Sequence, residues 1–494
     1  MGTNVDKHVH WIGGEPVASA DGGYLPTLDP FTGEVWAEIA RGQAADVDRA
    51  VAAAKAAFGS WRRTSPAVRA EVLWRTGDLI FDHAEELAEL ESRDAGKVIR
   101  EVVGQMRAMR GWYRYYASQA YQLEGRTIIH DRASLNISTR RAPYGVIGVI
   151  PAFNSPMLLG SMSIAPGLAA GNTVVAKPPE TNSLSLRKLG ELLQEAGLPD
   201  GCFNVVQGYG QEAGDALVAH PDVRKVWFTG GPASGRAVAQ RAAEGLKPVV
   251  LELGGKSANI VFGDVSVPDV VNGVIAGIFA AAGQTCVAGS RLVVHESVAD
   301  ELVAALSARA ATIKLGDPRD PETEMGPLSQ TKILDGVASR VNEAVAAGAA
   351  LRAGGPQQVP DAAGWFYPPT VLDGVTNDMA VARNELFGPV LSVIRFREEA
   401  EAIAIANDSD FGLAAGIWTH DLGAAHRVAE SLDTGTVWVN TYRALHAAVP
   451  FGGGRESGYG RENGMDGLAE FTQAKAIWIE TSDEPVGDPF VLRT

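Results

Sequence analysis

Cys286 sits in the stretch FAAAGQTCVAGSR (279–291), which is uncharged before Arg291 and built mostly of small residues. A lone cysteine is usually a packing residue. Here glycines 283 and 289 leave room beside the sulfur for a carbonyl compound. A free thiol is only a few per cent ionised at neutral pH, so a nucleophile at this position needs local activation. Cys202, inside the strand-like CFNVV, reads as core packing. Glu252 lies among Val249, Val250, Leu251 and Leu253. It is either a strand-end residue facing solvent or a buried acid with a raised pKa, and the two glycines after it favour a functional corner. Asn154 in IPAFNSP follows an apolar run and precedes a proline. Its amide suits an oxyanion donor, or an ordinary turn.

Two glycine-rich turns could cradle phosphate. GYGQEAG (208–214) has a spacing one residue too long for a dinucleotide fingerprint. WFTGGPASG (227–235) is the better candidate, because an apolar strand runs into Gly230 and Gly231 and Gly235 opens a helix. A helix N-terminus there offers unpaired N–H groups and a favourable dipole.

FNSP, FTGG, LELGGKS and GQTC occur in this order, followed by NELFGPV (384–390), GTVWVN (435–440) and PFGGGRESGYGRE (450–462). The set resembles the NAD(P)-dependent aldehyde dehydrogenase superfamily over nearly the whole chain. That resemblance implies Cys286 as nucleophile and Asn154, with the backbone N–H of Cys286, as oxyanion donors. Glu252 becomes the base that activates the deacylating water, and Glu462 a second carboxylate for proton exit. Lys177 and Glu180 correspond to the pair at the adenosine ribose, Lys177 also counting among the catalytic residues. Phe228, Thr229, Gly230 and Gly231 correspond to the pyrophosphate turn, and Glu385 and Phe387 to the grip on the nicotinamide end. Ile150, Pro151, Phe153, Gly210 and Leu253 complete the expected cofactor contacts.

The implied reaction is oxidation of an aldehyde to the acid through a thiohemiacetal and a thioester on Cys286. A carboxylate at the ribose accepts from a 2′-hydroxyl and repels a 2′-phosphate, so Glu180 favours NAD over NADP. Transfer of the acyl group to coenzyme A is the nearest alternative, and Glu252 argues for water instead. A thiol hydrolase would need a histidine base beside Cys286, and a non-catalytic binding homologue would not need every catalytic position filled.

Phe153 stands where the family often has Trp, and Gly231 where it usually has Ser. Ser155, Met162 and Leu445 stand where aromatic residues are frequent, which widens the expected substrate tunnel; Phe451 lines it too. Arg443 and His446 fall on the loop at its mouth. These departures point to a substrate bulkier than acetaldehyde, with Arg443 facing either an anionic group of it or water.

The elements that must position these residues alternate. A first helix is expected at 46–58, capped by Asp46, and a helical block at about 67–95. Strands or a hairpin fill 128–150. Strands at 145–153, 173–178, 202–208, 225–230 and 248–255 then alternate with helices, including 183–197. A second series runs from ANIVFGD at 258 through a helix at 266–282, a strand at 292–296, a long helix at 321–348, and strands at 391–396 and 435–440. Such alternation implies parallel strands with crossovers, hence an α/β fold of two tandem domains. The resemblance divides it into a Rossmann-like cofactor domain (1–121 and 145–254), an α/β catalytic domain (255–456) and a small β oligomerisation element (122–144 and 476–494), assembled as homodimers or homotetramers.

Composition bounds the rest. At roughly 150 residues per domain, 494 residues allow about three domains. A net charge of −16 with no basic run argues against nucleic-acid binding. Two cysteines exclude a disulfide framework and fit a reducing, cytoplasmic setting. The histidines have no metal spacing, and no metal is expected. MGTNVDKHVHWIGGEP lacks the pattern of a signal peptide, and Asp6 removes a myristoylation reading of Gly2. Residues 142–176 are uncharged and long enough to span a bilayer, but four prolines and five glycines break them into strand, loop and helix.

Overall fold

The computed structural model describes residues 5–356 and 363–490. Gly2 and the outermost residues of the expected first and last domain ranges lie outside the described residues.

The fold is α/β, built on two large sheets. The first has eight strands in the order Gly458–Tyr459, Val249–Glu252, Val223–Thr229, Val146–Ile150, Thr173–Ala176, Phe203–Val205, His10–Ile12 and Glu15–Val17. The five from Val249–Glu252 to Phe203–Val205 are mutually parallel. Val146–Ile150 and Thr173–Ala176 are uncharged runs, as suits strands covered on both faces, and Val223–Thr229 is apolar from Val226 to Phe228. Val146–Ile150, first of the five in the chain, sits in the middle, so crossovers leave it in both directions. Ligands of open α/β sheets bind beyond the strand carboxyl ends at such a reversal. Ile150 and Thr229 both end there.

The second sheet has seven strands, six of them parallel, with Ala258–Val261 between Arg291–His295 and Ala414–Trp418. A third, antiparallel sheet pairs Leu135–Pro143 with Thr472–Glu480 and Thr127–Ile128. It leaves Ile129, Trp478 and Ile479 exposed. The strand Gly458–Tyr459 returns from the second half of the chain to close the edge of the first sheet beside Val249–Glu252.

The uncharged stretch 142–176 folds as strand, helix (Pro156–Ala169) and strand. Among the described residues no helix is long and apolar enough to cross a membrane. Several element boundaries differ from expectation. The first helix runs Ala44–Trp61 with Gln43 at its cap, while Asp46 lies one turn inside, buried, accepting from the Gln43 and Ala20 backbone N–H groups. The block at 67–95 breaks at His83 into Pro66–Asp82 and Ala84–Ala95. The helix expected at 321–348 forms only over Thr331–Ala346, because Pro321 and Pro327 cannot sit in a helix interior. The helix at 266–282 stops at Ile278. Helices Ile99–Gln119 and Glu296–Thr312 went unread in the sequence.

Candidate active site

Cys286 is half-buried on a loop that follows helix Val267–Ile278. Ala281, Ala282 and Gly283 all have positive φ, which ends the helix sharply and turns the chain toward the sheet edges. Such residues are strained and persist where surrounding packing fixes them. Gly283 has no alternative, since a Cβ there would lie 2.2 Å from the Gly388 carbonyl oxygen. Gln284 anchors the same loop, its Oε1 accepting from the backbone and hydroxyl of Ser329.

The other expected catalytic groups meet this loop. Asn154, just before helix Pro156–Ala169, donates from Nδ2 to the Gln284 carbonyl at 3.0 Å, two residues ahead of the sulfur. The Gly254–Gly255 corner after Glu252 is wedged between the Cys286 backbone and Glu385. A Cβ on Gly255 would lie 2.3 Å from the Cys286 carbonyl oxygen, and one on Gly254 2.2 Å from Glu385 Oε2. The Gly255 N–H donates to Glu385 Oε1 at 2.9 Å.

Glu252 ends its strand buried, with no hydrogen-bond partner for either carboxylate oxygen among the described residues. Of the two expectations, the buried acid is the one found. Burial pushes its pKa well above the usual range, Glu462 adds to the push and Arg461 opposes it. Glu462 is buried too and raised to about 7, chiefly by desolvation. Its Oε1 accepts from Trp227 Nε1 at 2.6 Å and from the Ser163 hydroxyl at 3.4 Å. The Cys286 thiol is pushed up to about 12, first by burial and then by Glu385, Glu252 and Glu462, while the Val287 N–H pulls it down. Three carboxyls thus act on the thiol.

The expected cofactor residues gather at the chain reversal of the first sheet. Gly231 caps helix Pro232–Glu244 with no side-chain cap among the described residues, none of which a Cβ on Gly231 would meet within 4 Å. An anion therefore fits there on both charge and space. Gly235 serves packing, since a Cβ would lie 2.5 Å from Leu253 Cδ2. Lys177, buried at the end of Thr173–Ala176, pairs with Glu180 at 3.2 Å. Phe153 and Phe387 meet edge-to-face at 5.5 Å, joining the two halves of the expected cofactor site. A narrow cleft is lined by Glu385, Phe387, Gly255 and Thr285, the residue before Cys286. Gly210 is exposed at the start of a short π-type turn, Gly210–Gly214.

The substrate-side residues are more scattered. Ser155 and Phe451 are buried, Met162 packs in the core at 1% exposure, and Leu445 lies at 37%. Arg443 neither points to water nor stands free for a substrate anion, because its guanidinium pairs with Glu101 at 3.1 Å and donates to the Ala276 carbonyl. Sequence reasoning missed Trp227, Gln284, Lys97 and Lys256. Lys256 is buried beside Glu385, and burial pushes it down to about 7. Its position directly after LELGG was the available signal.

Comparison with known proteins gives a consistent result. The sequence profile of the aldehyde dehydrogenase family matches residues 17–477. The chain is 44% identical over 471 residues to (Z)-2-((N-methylformamido)methylene)-5-hydroxybutyrolactone dehydrogenase of Acinetobacter baylyi, covering 94% of this chain and 96% of that one. It is 43% identical over 480 residues to the NADP/NAD-dependent aldehyde dehydrogenase PuuC of Escherichia coli, covering 95% of each. The fold superposes on an NAD+ complex of aldehyde dehydrogenase from Bacillus cereus with a TM-score of 0.94 at 40% identity, covering 97% of each chain.

Proposed function

Since the chain belongs to the aldehyde dehydrogenase family, we propose that it oxidises an aldehyde to the carboxylic acid with NAD, through a thioester on Cys286. The observation that carries this reading is the Asn154 amide held on the Cys286 loop, next to a buried carboxyl whose two oxygens have no partner.

The sulfur adds to the aldehyde carbon as the thiol proton leaves, and the carbonyl oxygen becomes an oxyanion facing Asn154 Nδ2 and the Cys286 N–H. Loss of one such donor costs roughly 100- to 1000-fold in rate. A nicotinamide dinucleotide, when bound, would supply the hydride acceptor; Glu385 and Phe387 would hold its nicotinamide end, Gly230 and Gly231 its pyrophosphate, and Lys177 and Glu180 its adenosine ribose. The hydrogen on the former aldehyde carbon leaves as hydride, giving the thioester on Cys286. Glu252 then removes a proton from a water that attacks the thioester, the acid leaves, and the sulfur departs as the thiolate. Glu462 receives that proton for release. The carboxylate of Glu180 supports NAD over NADP.

On the same reading, residues 1–121 and 145–254 form the cofactor domain, 255–456 the catalytic domain, and the sheet around Leu135–Pro143 and Thr472–Glu480 the self-association element, through its exposed Trp478 and Ile479. Dimers or tetramers are the expected assemblies, checked by a sizing measurement. Two free cysteines fit a reducing, cytoplasmic setting.

The test is absorbance of NADH on mixing the protein with NAD and a panel of aliphatic, aromatic and hydroxylated aldehydes. Turnover with at least one class, abolished in Cys286→Ala, is expected. Absence of NADH with every class, or full turnover in Cys286→Ala, overturns the reading. The panel also identifies the substrate class.

A further inference from the structure

Lys97 is an ammonium group enclosed at 4% exposure, far along the sequence from every motif above. It directly follows Gly96, whose φ of 74° ends helix Ala84–Ala95 and whose missing Cβ would sit 2.8 Å from Pro327 Cγ. Its Nζ donates to the Ser155 hydroxyl at 2.6 Å and to Gln105 Oε1 at 2.8 Å, and lies 3.7 Å from Glu91 Oε1. The Ser155 hydroxyl in turn donates to the Asn154 carbonyl at 2.6 Å.

The rest of this turn is held in the same manner. Glu91, wholly buried and 3.7 Å from Lys97 Nζ, accepts from the Ser185 hydroxyl at 3.2 Å. Asn182 Nδ2 donates to the Phe153 carbonyl at 2.8 Å. Burying a charge is costly unless it is paired and hydrogen-bonded, and charge-assisted bonds are about twice as strong as neutral ones. A buried ammonium held by Gln105 and Glu91 and donating to the Ser155 hydroxyl therefore fixes that hydroxyl, and with it the backbone of Asn154.

We propose that Lys97 is a positioning residue for the oxyanion-binding amide: through the Ser155 hydroxyl it sets the turn from which Asn154 reaches the nucleophile loop. The inference rests on the role of Asn154 given under the proposed function. A misplacement of about 1 Å at a reacting centre can cost about 100-fold.

The experiment is a double-mutant cycle in the NAD-dependent assay, with Lys97→Met, Asn154→Ala and the double variant, and with NAD affinity measured alongside. Lys97→Met should lower kcat by about 10- to 100-fold while the KM for NAD stays within about twofold. In the Asn154→Ala background the same change should cost less than about twofold, because contacting groups in one chain of bonds are not additive. Equal losses in both backgrounds, or unchanged kcat in Lys97→Met, overturn the proposal. Full activity of Asn154→Ala instead overturns the role of Asn154 and this inference with it. Should Lys97→Met fail to fold, Ser155→Ala breaks the same link and is held to the same outcomes.

Discussion

At the scale of single residues, the site is governed by acids kept out of water. As the proposed base, Glu252 must be ionised to take a proton from water, yet burial and Glu462 hold its pKa well up, and the Cys286 thiol is raised too. Both groups reach their working forms only as pH rises, so kcat should climb through the neutral range into the alkaline. A flat profile from pH 6 to 9 contradicts this. Glu252→Gln should leave one rapid burst of NADH per site and stall thereafter; unimpaired steady-state turnover removes Glu252 as the base. Trp227→Phe keeps the ring stacked on Phe471 at 4.4 Å but deletes the donor to Glu462. Losing a bond to the charged form raises the Glu462 pKa further, so Glu462 stays neutral to higher pH, its push on Glu252 and Cys286 weakens, and the rising limb of the pH–rate profile should move to lower pH. Cys286, Glu252 and Asn154 were legible in the sequence because their neighbours are small, apolar or turn-forming. Arg443 was not, because Glu101, which neutralises it, lies 342 positions away.

Among elements, the short glycine corners decide whether these groups meet. Gly255→Ala places a methyl carbon 2.3 Å from the Cys286 carbonyl oxygen, and that backbone cannot rotate away. The variant should fold with a lowered Tm and lose most of its turnover. Near-normal kinetics contradict the wedge. The strand–helix alternation of both large sheets was readable, since buried parallel strands are apolar runs bounded by turn residues. Helix ends were less so. The stop of Val267–Ile278 depends on left-handed Ala281 and Ala282, residues with no intrinsic preference for that geometry, held by packing that sequence alone does not display. Asp46 looked like a cap by type but Gln43 occupies the place, because the loop around Ser19 and Ala20, which Asp46 satisfies, lies 26 residues earlier.

For the whole molecule, buried acids and net charge act in the same direction. Asp94, Glu385 and Glu462 are each raised to about 7 by burial. Between about pH 4 and 7 the unfolded chain has released these protons and the native chain keeps them, so stability falls as pH rises through that window. A charge of −16 at neutral pH adds self-repulsion. Tm should therefore be higher near pH 5.5 than near pH 8, and the reverse order contradicts the burial of these acids. Overall architecture was visible from alternation and motif order, whereas the return of Gly458–Tyr459 to the first sheet was not, because two residues carry no periodic signal. That return has a consequence for how the protein comes into being. The strand bearing Glu252 keeps one flank of its backbone unpaired during synthesis until position 458 has left the ribosome, some two hundred residues later. The half-made product is thus a template with an open margin that invites adhesion to its siblings, and the arriving clasp both seals that margin and completes the wall beside Glu252.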